Sequence, residues 1–179
     1  MDSEKSTGER GLIMVYTGPG KGKTTAAVGQ ALRALGHGYR VYMIHFMKGR
    51  DYGEFLSLEN FSSATVVKAG RDEFVKRGDP DPVDLELAKR GFAHVSEALK
   101  SGKYDIVVMD EINVAMDFGL IPVQDVVKLL KSKPSGIDVI LTGRNAPAEI
   151  IDVADLASEV KEIKHHYQAG VNSRKGIEY

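Results

Sequence analysis

The chain has 179 residues, a length that suits one ordinary domain and leaves little room for two. Apolar residues make up 42% and charged residues 27%, which excludes a disordered or fibrous chain. Lys and Arg number 24 against 25 Asp and Glu, a balance without general attraction to nucleic acid or anionic membrane, and the lack of cysteine excludes disulfides and thiolate sites.

Residues 1–10, MDSEKSTGER, are polar and read as a flexible N-terminal arm. They hold no hydrophobic stretch, so no secretory signal is expected there. No apolar run approaches the roughly 20 residues that span a bilayer, so a cytoplasmic protein without a membrane partner is expected. Residues 11–179 read as a single domain in which apolar runs alternate with helical patterns.

The first strand is expected at 12–16, followed by an Ala-rich helix over 24–35 that closes at Gly36. Further strands are expected at 41–46 and 65–68. The stretch from Asn60 to Asp81 breaks the regular alternation. A long charged loop carrying Arg71, Phe74 and Arg77 in a compact domain points to function or mobility. Asp81 and Pro82 read as the N-cap and first residue of a helix, with Leu85, Ala88, Phe92, Val95 and Leu99 on its inner face and Gly102 at its end. A strand at 106–109 precedes two acids. Pro122 opens another helix and Pro134 follows its end. A strand at 139–142 leads to Asn145, which reads as the cap of a helix with Pro147 in its first turn. A last strand at 158–163 is expected at a sheet edge. Strands alternating with helices predict an α/β fold, a mostly parallel sheet covered on both faces.

The most specific motif is Thr17-Gly18-Pro19-Gly20-Lys21-Gly22-Lys23-Thr24-Thr25, between a strand and a helix. That is the setting of a phosphate-binding loop, in which glycines let backbone N–H groups converge on an anion and the helix N-terminus adds its dipole. Lys23 would neutralise the terminal phosphates and the Thr24 hydroxyl would ligate Mg2+. Thr17 stands where the common form of this loop has its first glycine. The even spacing of Gly18, Gly20 and Gly22 excludes the dinucleotide fingerprint.

In Asp105-Ile106-Val107-Val108-Met109-Asp110-Glu111 two acids follow a buried strand, at the end where open α/β sheets bind ligands. Asp110 or Glu111 would hold the metal or orient a reacting group, or Asp110 would cap the next helix. Arg144, in Leu141-Thr142-Gly143-Arg144, either faces the phosphates or lies in a surface turn. The five histidines, at 37, 45, 94, 165 and 166, lack the spacing of a zinc site and read as structural or solvated.

These residues resemble the phosphate-loop type of ATP:corrinoid adenosyltransferase. The resemblance covers the loop with Ala26-Ala27, Arg33-Ala34-Leu35-Gly36-His37-Gly38, Phe46-Met47-Lys48-Gly49, Asp110-Glu111 and Leu141-Thr142-Gly143-Arg144. It continues through Ile151-Asp152-Val153-Ala154-Asp155, Lys164-His165, Ala169-Gly170-Val171 and Gly176-Ile177-Glu178-Tyr179. The shortened loop is also this family's form.

The resemblance implies a RecA-like P-loop fold and transfer of the 5′-deoxyadenosyl group of ATP to corrinoid cobalt(I), releasing triphosphate in cobalamin biosynthesis. It implies that Gly18 to Thr25 carry the triphosphate, that Thr24 with Glu111 or Asp110 holds Mg2+, and that Arg33 and Arg144 touch the nucleotide. A homodimer and an external electron donor, a flavoprotein reductase, are implied as partners. Many relatives carry a Phe-x-Trp stretch that displaces the corrinoid's lower ligand. This chain has Gly70-Arg71-Asp72-Glu73-Phe74-Val75 and no Trp, which leaves Phe74 for that role, and its arm offers only Lys5 and Arg10 where relatives have a longer basic arm. A P-loop ATPase or small-molecule kinase of unknown acceptor is the alternative. A third reading is a binding protein in which ATP orders the loop around 70–80. No Asn/Thr-Lys-x-Asp guanine motif is present.

Overall fold

The computed structural model describes residues 10–50 and 52–179. The expected arm, apart from Arg10, lies outside the described residues. Six parallel strands form one sheet in the order β3-β2-β4-β5-β1-β6, with β1 Ile13–Thr17, β2 Val41–Phe46, β3 Ala64–Ala69, β4 Ile106–Asp110, β5 Asp138–Thr142 and β6 Leu156–Glu159. This is the expected α/β, P-loop architecture. In a parallel sheet all carboxyl ends open on one side, so the loops after β1, β2, β4 and β5 converge there.

The four central strands are mostly apolar because both sheet faces are covered, and their polar residues lie at or next to the strand ends. Alternate residues divide between two cores. Met14, Met43, Val108 and Ile140 pack against α1 (Lys23–Gly36), while Val15, Ile44, Met109 and Leu141 face the opposite helical layer. Ala27, Ala31 and Ala34 let α1 lie close to the sheet. The other layer is built from α3 (Pro82–Lys100), α4 (Ile112–Asp117), α5 (Val123–Lys131) and α6 (Ala148–Val153), and α2 (Gly53–Leu58) follows β2. No helix among the described residues is long and apolar enough to cross a membrane.

Several local expectations change. Helix α1 runs through Gly36, and the left-handed glycine is Gly38 (φ 77°). The N–H of Tyr39 bonds the carbonyl of Ala34 and that of Gly38 bonds Leu35, which is the six-to-one, five-to-two pattern of a Schellman end. Asp81 does cap α3, accepting from the Val83 N–H, and Gly102 ends it at φ 66°. Leu85 is not in the core; it is 39% exposed, and Asp84 takes the inward place at 5%. The inner stripe runs Asp84, Ala88, Gly91, Val95 and Ala98, which rotates Leu85 outward by one helical step.

Asn145 does not cap α6. It sits at φ 57°, its amide donates to Asp117 Oδ2, and Pro147 takes the N-cap position. The last strand is Leu156–Glu159 rather than 158–163, although it lies at the edge as expected. It ends where its partner β1 ends: the Val160 N–H makes the last bond to the β1 residue Thr17, and the Val160 carbonyl accepts from the Gly20 N–H of the following loop, at 2.8 Å each. The charged stretch after β3 is anchored by Arg71, whose guanidinium forks onto Asp84 with bonds of 2.7 and 3.0 Å.

Gly91 marks the closest approach of α3 to the sheet. A Cβ there would stand 2.4 Å from the Ala69 Cβ and 3.1 Å from Phe46 Cε1. Alanine favours a helix by about 1 kcal/mol over glycine, but overpacking a tight core costs about 1–3 kcal/mol. Gly91→Ala should therefore lower the urea midpoint of unfolding; a raised midpoint would show that the helix can shift outward.

Candidate functional site

The loop Gly18 to Gly22 joins β1 to α1. Gly18 (φ 101°) and Gly22 (φ 117°) take conformations that L side chains rarely adopt. A Cβ on Gly18 would also meet the Val160 carbonyl at 2.6 Å, and one on Gly20 would meet Lys161 at 2.7 Å. The glycines thus serve twice, turning the loop and admitting the backbone that follows β6. Lys23 is buried at the start of α1 and its Nζ donates to the Gly20 carbonyl at 2.6 Å. Burial lowers the Lys23 pKa, reinforced by Arg144, while Glu111 and Asp110 oppose the shift.

Asp110, the last residue of β4, is the hub. Its Oδ1 accepts from Thr24 Oγ1 at 2.7 Å and from Thr142 Oγ1 at 2.6 Å. Its Oδ2 accepts from Lys48 Nζ at 2.8 Å and faces His45 Nδ1 at 2.9 Å. Register explains the convergence. His45 on β2 pairs directly with Asp110, and Thr142 lies one step beyond the Met109–Leu141 pair. Burial opposes the Asp110 charge, but Lys48 and His45 outweigh it and hold the carboxyl well below its usual range. Burial pushes the His45 pKa down against the pull of Asp110, so the ring is neutral, with Nδ1–H facing the carboxylate. Its Nε2 has no hydrogen-bond partner and the ring lies against Phe55, centroids 3.8 Å apart.

Glu111 follows at φ 61°, an uncommon conformation for a residue with a side chain, and its N–H donates to Thr142 Oγ1 at 3.0 Å. It occupies the N-cap position of α4 without a side-chain capping bond, and Asp110 is no cap at all. The turn directs the Glu111 carboxylate away from the hub. It lines a cavity of about 520 Å³ together with Lys21, Lys23, Thr24 and Thr25. Lys48 Nζ stands 3.8 Å from Glu111 Oε1. Burial and the neighbouring Asp110 raise the Glu111 pKa.

Of the remaining sequence candidates, Arg144 joins Gly20, Lys21, Lys23 and Glu111 around a second opening on the same loop. Thr17 Oγ1 accepts from the Ala146 N–H, which ties the loop's first residue to the segment after β5. Pro19 lies in the loop between Gly18 and Gly20. Arg33 is not brought to the site. It sits on the last turn of α1, about 15 Å along the axis from Lys23, exposed and bonded to Gln30. Phe74 is fully exposed beside a separate cavity of about 270 Å³.

Sequence reasoning assigns no site role to His45, and none to Lys48, Thr142 or Gly176–Tyr179 beyond their place in the stretches that carry the family resemblance; the last segment walls the large cavity and accepts a bond from Lys21 at the Ile177 carbonyl. Strand register and the return of the chain bring these residues together, and neither is read from local periodicity.

Ionised Glu111 is strained by burial and by Asp110, so at neutral pH it costs stability. Its raised folded pKa means that protonation stabilises the fold, an effect complete below the unfolded value and lost as pH rises through the folded one. Glu111→Gln should raise the melting temperature at pH 7 by an amount worth about 1 kcal/mol, with the gain shrinking toward pH 4. A pH-independent change would assign the effect to packing.

The family model described as ATP:corrinoid adenosyltransferase BtuR/CobO/CobP matches residues 9–179. The chain is 41% identical over 190 residues to an uncharacterized protein of Nostoc sp., with 98% of this chain aligned; it spans about half of that protein, 49%. It is 37% identical over 172 residues to the corrinoid adenosyltransferase of Escherichia coli, covering 96% of this chain and 87% of that enzyme. Against the corrinoid adenosyltransferase of Sinorhizobium sp the identity is 35% over 176 residues, with 97% and 82% covered. With the match running through the loop after β1, the acids after β4 and the chain end that closes over them, the chain belongs to the ATP:corrinoid adenosyltransferase family of enzymes.

Proposed function

We propose that the protein transfers the 5′-deoxyadenosyl group of ATP to the cobalt(I) of a corrinoid and releases intact triphosphate. The observation that carries this reading is the convergence of Lys23, Thr24 and Glu111 on one cavity behind a phosphate loop. In this reading residues 11–179 act as one domain. Gly18 to Thr25 wrap the triphosphate with backbone N–H groups, Lys23 neutralises it, and Lys21 and Arg144 add charge from the rim.

The donor set suits magnesium. Thr24 and Glu111 offer hard oxygen ligands at the same cavity, whereas Asp110 already accepts four bonds and is fully buried. Asp110 therefore orients the Thr24 hydroxyl, by taking its proton in a hydrogen bond and leaving its lone pairs to the cavity. Among the described residues no three His, Asp or Glu side chains cluster to hold a metal, so phosphate oxygens and water would complete the shell. The ion would supply charge neutralisation to the phosphates.

Transfer is a displacement at carbon. The cobalt–carbon bond forms with the cobalt(I) electron pair, the bond from the 5′ carbon to oxygen breaks, and triphosphate leaves with that pair. No proton moves, so no side-chain base is required. The protein aligns the two reactants and stabilises the leaving group. The electron that makes cobalt(I) comes from outside a chain without cysteine, which supports a flavoprotein reductase as partner in the cytoplasm. The open edge at β6, with Leu156 exposed, supports a homodimer. The full exposure of Phe74 beside the smaller cavity supports a role for its ring in meeting the corrinoid and emptying its lower axial position.

Incubation with ATP, magnesium and chemically reduced cobalamin should give triphosphate in step with a cobalt–carbon bond, and Lys23→Ala should abolish it while the protein stays folded. ADP formed at the same rate with or without corrinoid would replace this reading with an ATPase or kinase. Phe74→Ala should slow transfer from cobalt(II) corrinoid plus reductant more than transfer to cobalt(I) prepared beforehand. Equal losses in the two assays would leave Phe74 with a structural role.

A further inference from the structure

The cavity on the phosphate loop and the smaller cavity beside Phe74 share two wall residues, Lys48 and Tyr52. They touch each other: the Lys48 ammonium lies 5.0 Å from the centre of the Tyr52 ring, a cation–π distance. Lys48 follows Met47, which takes φ 61° straight after β2, and that left-handed turn throws Lys48 back over the sheet end. Only 16% of its side chain is exposed. The ammonium has three N–H groups and bonds Asp110 Oδ2 with one of them at 2.8 Å. Asp110 in turn holds Thr24 Oγ1 at 2.7 Å. An unbroken line of contacts thus runs Tyr52, Lys48, Asp110, Thr24, from the second cavity to the first turn of the phosphate-binding helix.

Building on the transfer reading above, we propose that Lys48 and Tyr52 form the partition at which nucleotide and acceptor meet, and that Lys48 is a positioning residue for the transfer. The displacement requires the attacking cobalt and the 5′ carbon in line and in contact, so the two reactants must share a boundary. Among the cavities of the described residues, the one beside Phe74 adjoins the phosphate-loop cavity through this pair, and its rim carries a fully exposed aromatic ring suited to a large flat acceptor. Lys48 sets this boundary relative to the phosphates because the same ammonium is fixed to the carboxylate that fixes Thr24. Tyr52 supplies the face of the partition, and its ring, rather than its hydroxyl, carries the contact with Lys48.

The test separates binding from transfer. ATP binding is measured by calorimetry with magnesium, and transfer with chemically reduced cobalamin. Lys48→Met should lower kcat roughly tenfold or more while the ATP dissociation constant changes by less than about threefold, and Lys48→Arg should recover most of the rate. Tyr52→Ala should lower kcat and raise the cobalamin KM, whereas Tyr52→Phe, which keeps the ring, should recover most of both. If Lys48→Met does not fold, the Tyr52 pair carries the test alone. Loss of ATP affinity as large as the loss of kcat would make Lys48 a plain phosphate ligand and overturn the proposal. So would wild-type kinetics in both Lys48→Met and Tyr52→Ala. A wild-type protein that binds ATP but makes no cobalt–carbon bond would sink the transfer reading itself, an outcome distinct from either.

Discussion

A carboxylate buried without contact to water is held by four donors, and the arrangement of the site depends on it. Asp110 sits at the end of a central strand where desolvation of a charge is severe. Two hydroxyls, an imidazole N–H and an ammonium offset that cost. Each donor comes from a different segment: Thr24 from α1, Thr142 from β5, His45 from β2 and Lys48 from the turn after β2. The carboxylate therefore acts as a clamp across β2, β4 and β5 and ties them to the helix that carries the phosphate loop. A conformer that moved any of these elements would leave the charge short of a partner, so the clamp selects a single arrangement of the site.

The clamp also separates the roles of two adjacent acids. Asp110 is stabilised as an anion and faces inward. Glu111, one residue later, is turned by its positive φ toward the cavity and is destabilised as an anion by burial and by Asp110. A charge held under strain at a cavity wall is poised to gain from a cation. Met47, Glu111 and Asn145 all take left-handed backbone without being glycine, and all lie past carboxyl ends of strands, on the side of the sheet where the phosphate loop opens. The strain is concentrated where the ligands are proposed to bind, and the sheet beneath it carries regular strands.

The phosphate loop is sandwiched rather than free. Val160 and Lys161 press on Gly18 and Gly20, and Lys21 reaches the Ile177 carbonyl. The chain after β6 thus braces the loop from one side while α1 supports it from the other. β6 ends where β1 ends: its last ladder bond goes from the Val160 N–H to the Thr17 carbonyl, and the Val160 carbonyl then accepts from the Gly20 N–H of the loop.

The sequence by itself determined the alternating strands and helices, the phosphate loop, the acid pair at a strand end, and the family. These features are local, because backbone conformation and apolar periodicity act over a few residues. Asp81-Pro82 and Gly102 marked the ends of α3 for the same reason. The tertiary structure decided what lies between elements. Gly38 displaced Gly36 as the helix end because the terminating bonds to Leu35 and Ala34 come from Gly38 and Tyr39, two residues later. Leu85 lost its inward place to Asp84, whose carboxylate pairs with the guanidinium of Arg71, thirteen residues earlier. Arg33, close to the loop in sequence, was carried away from it by the rise of α1. His45 gave no local signal and became a central partner of Asp110, because the register of two parallel strands places residues 65 positions apart side by side. A sequence shows which side chains are available for chemistry; which of them share one carboxylate is set by pairing and crossover, whose energies are summed over the whole sheet.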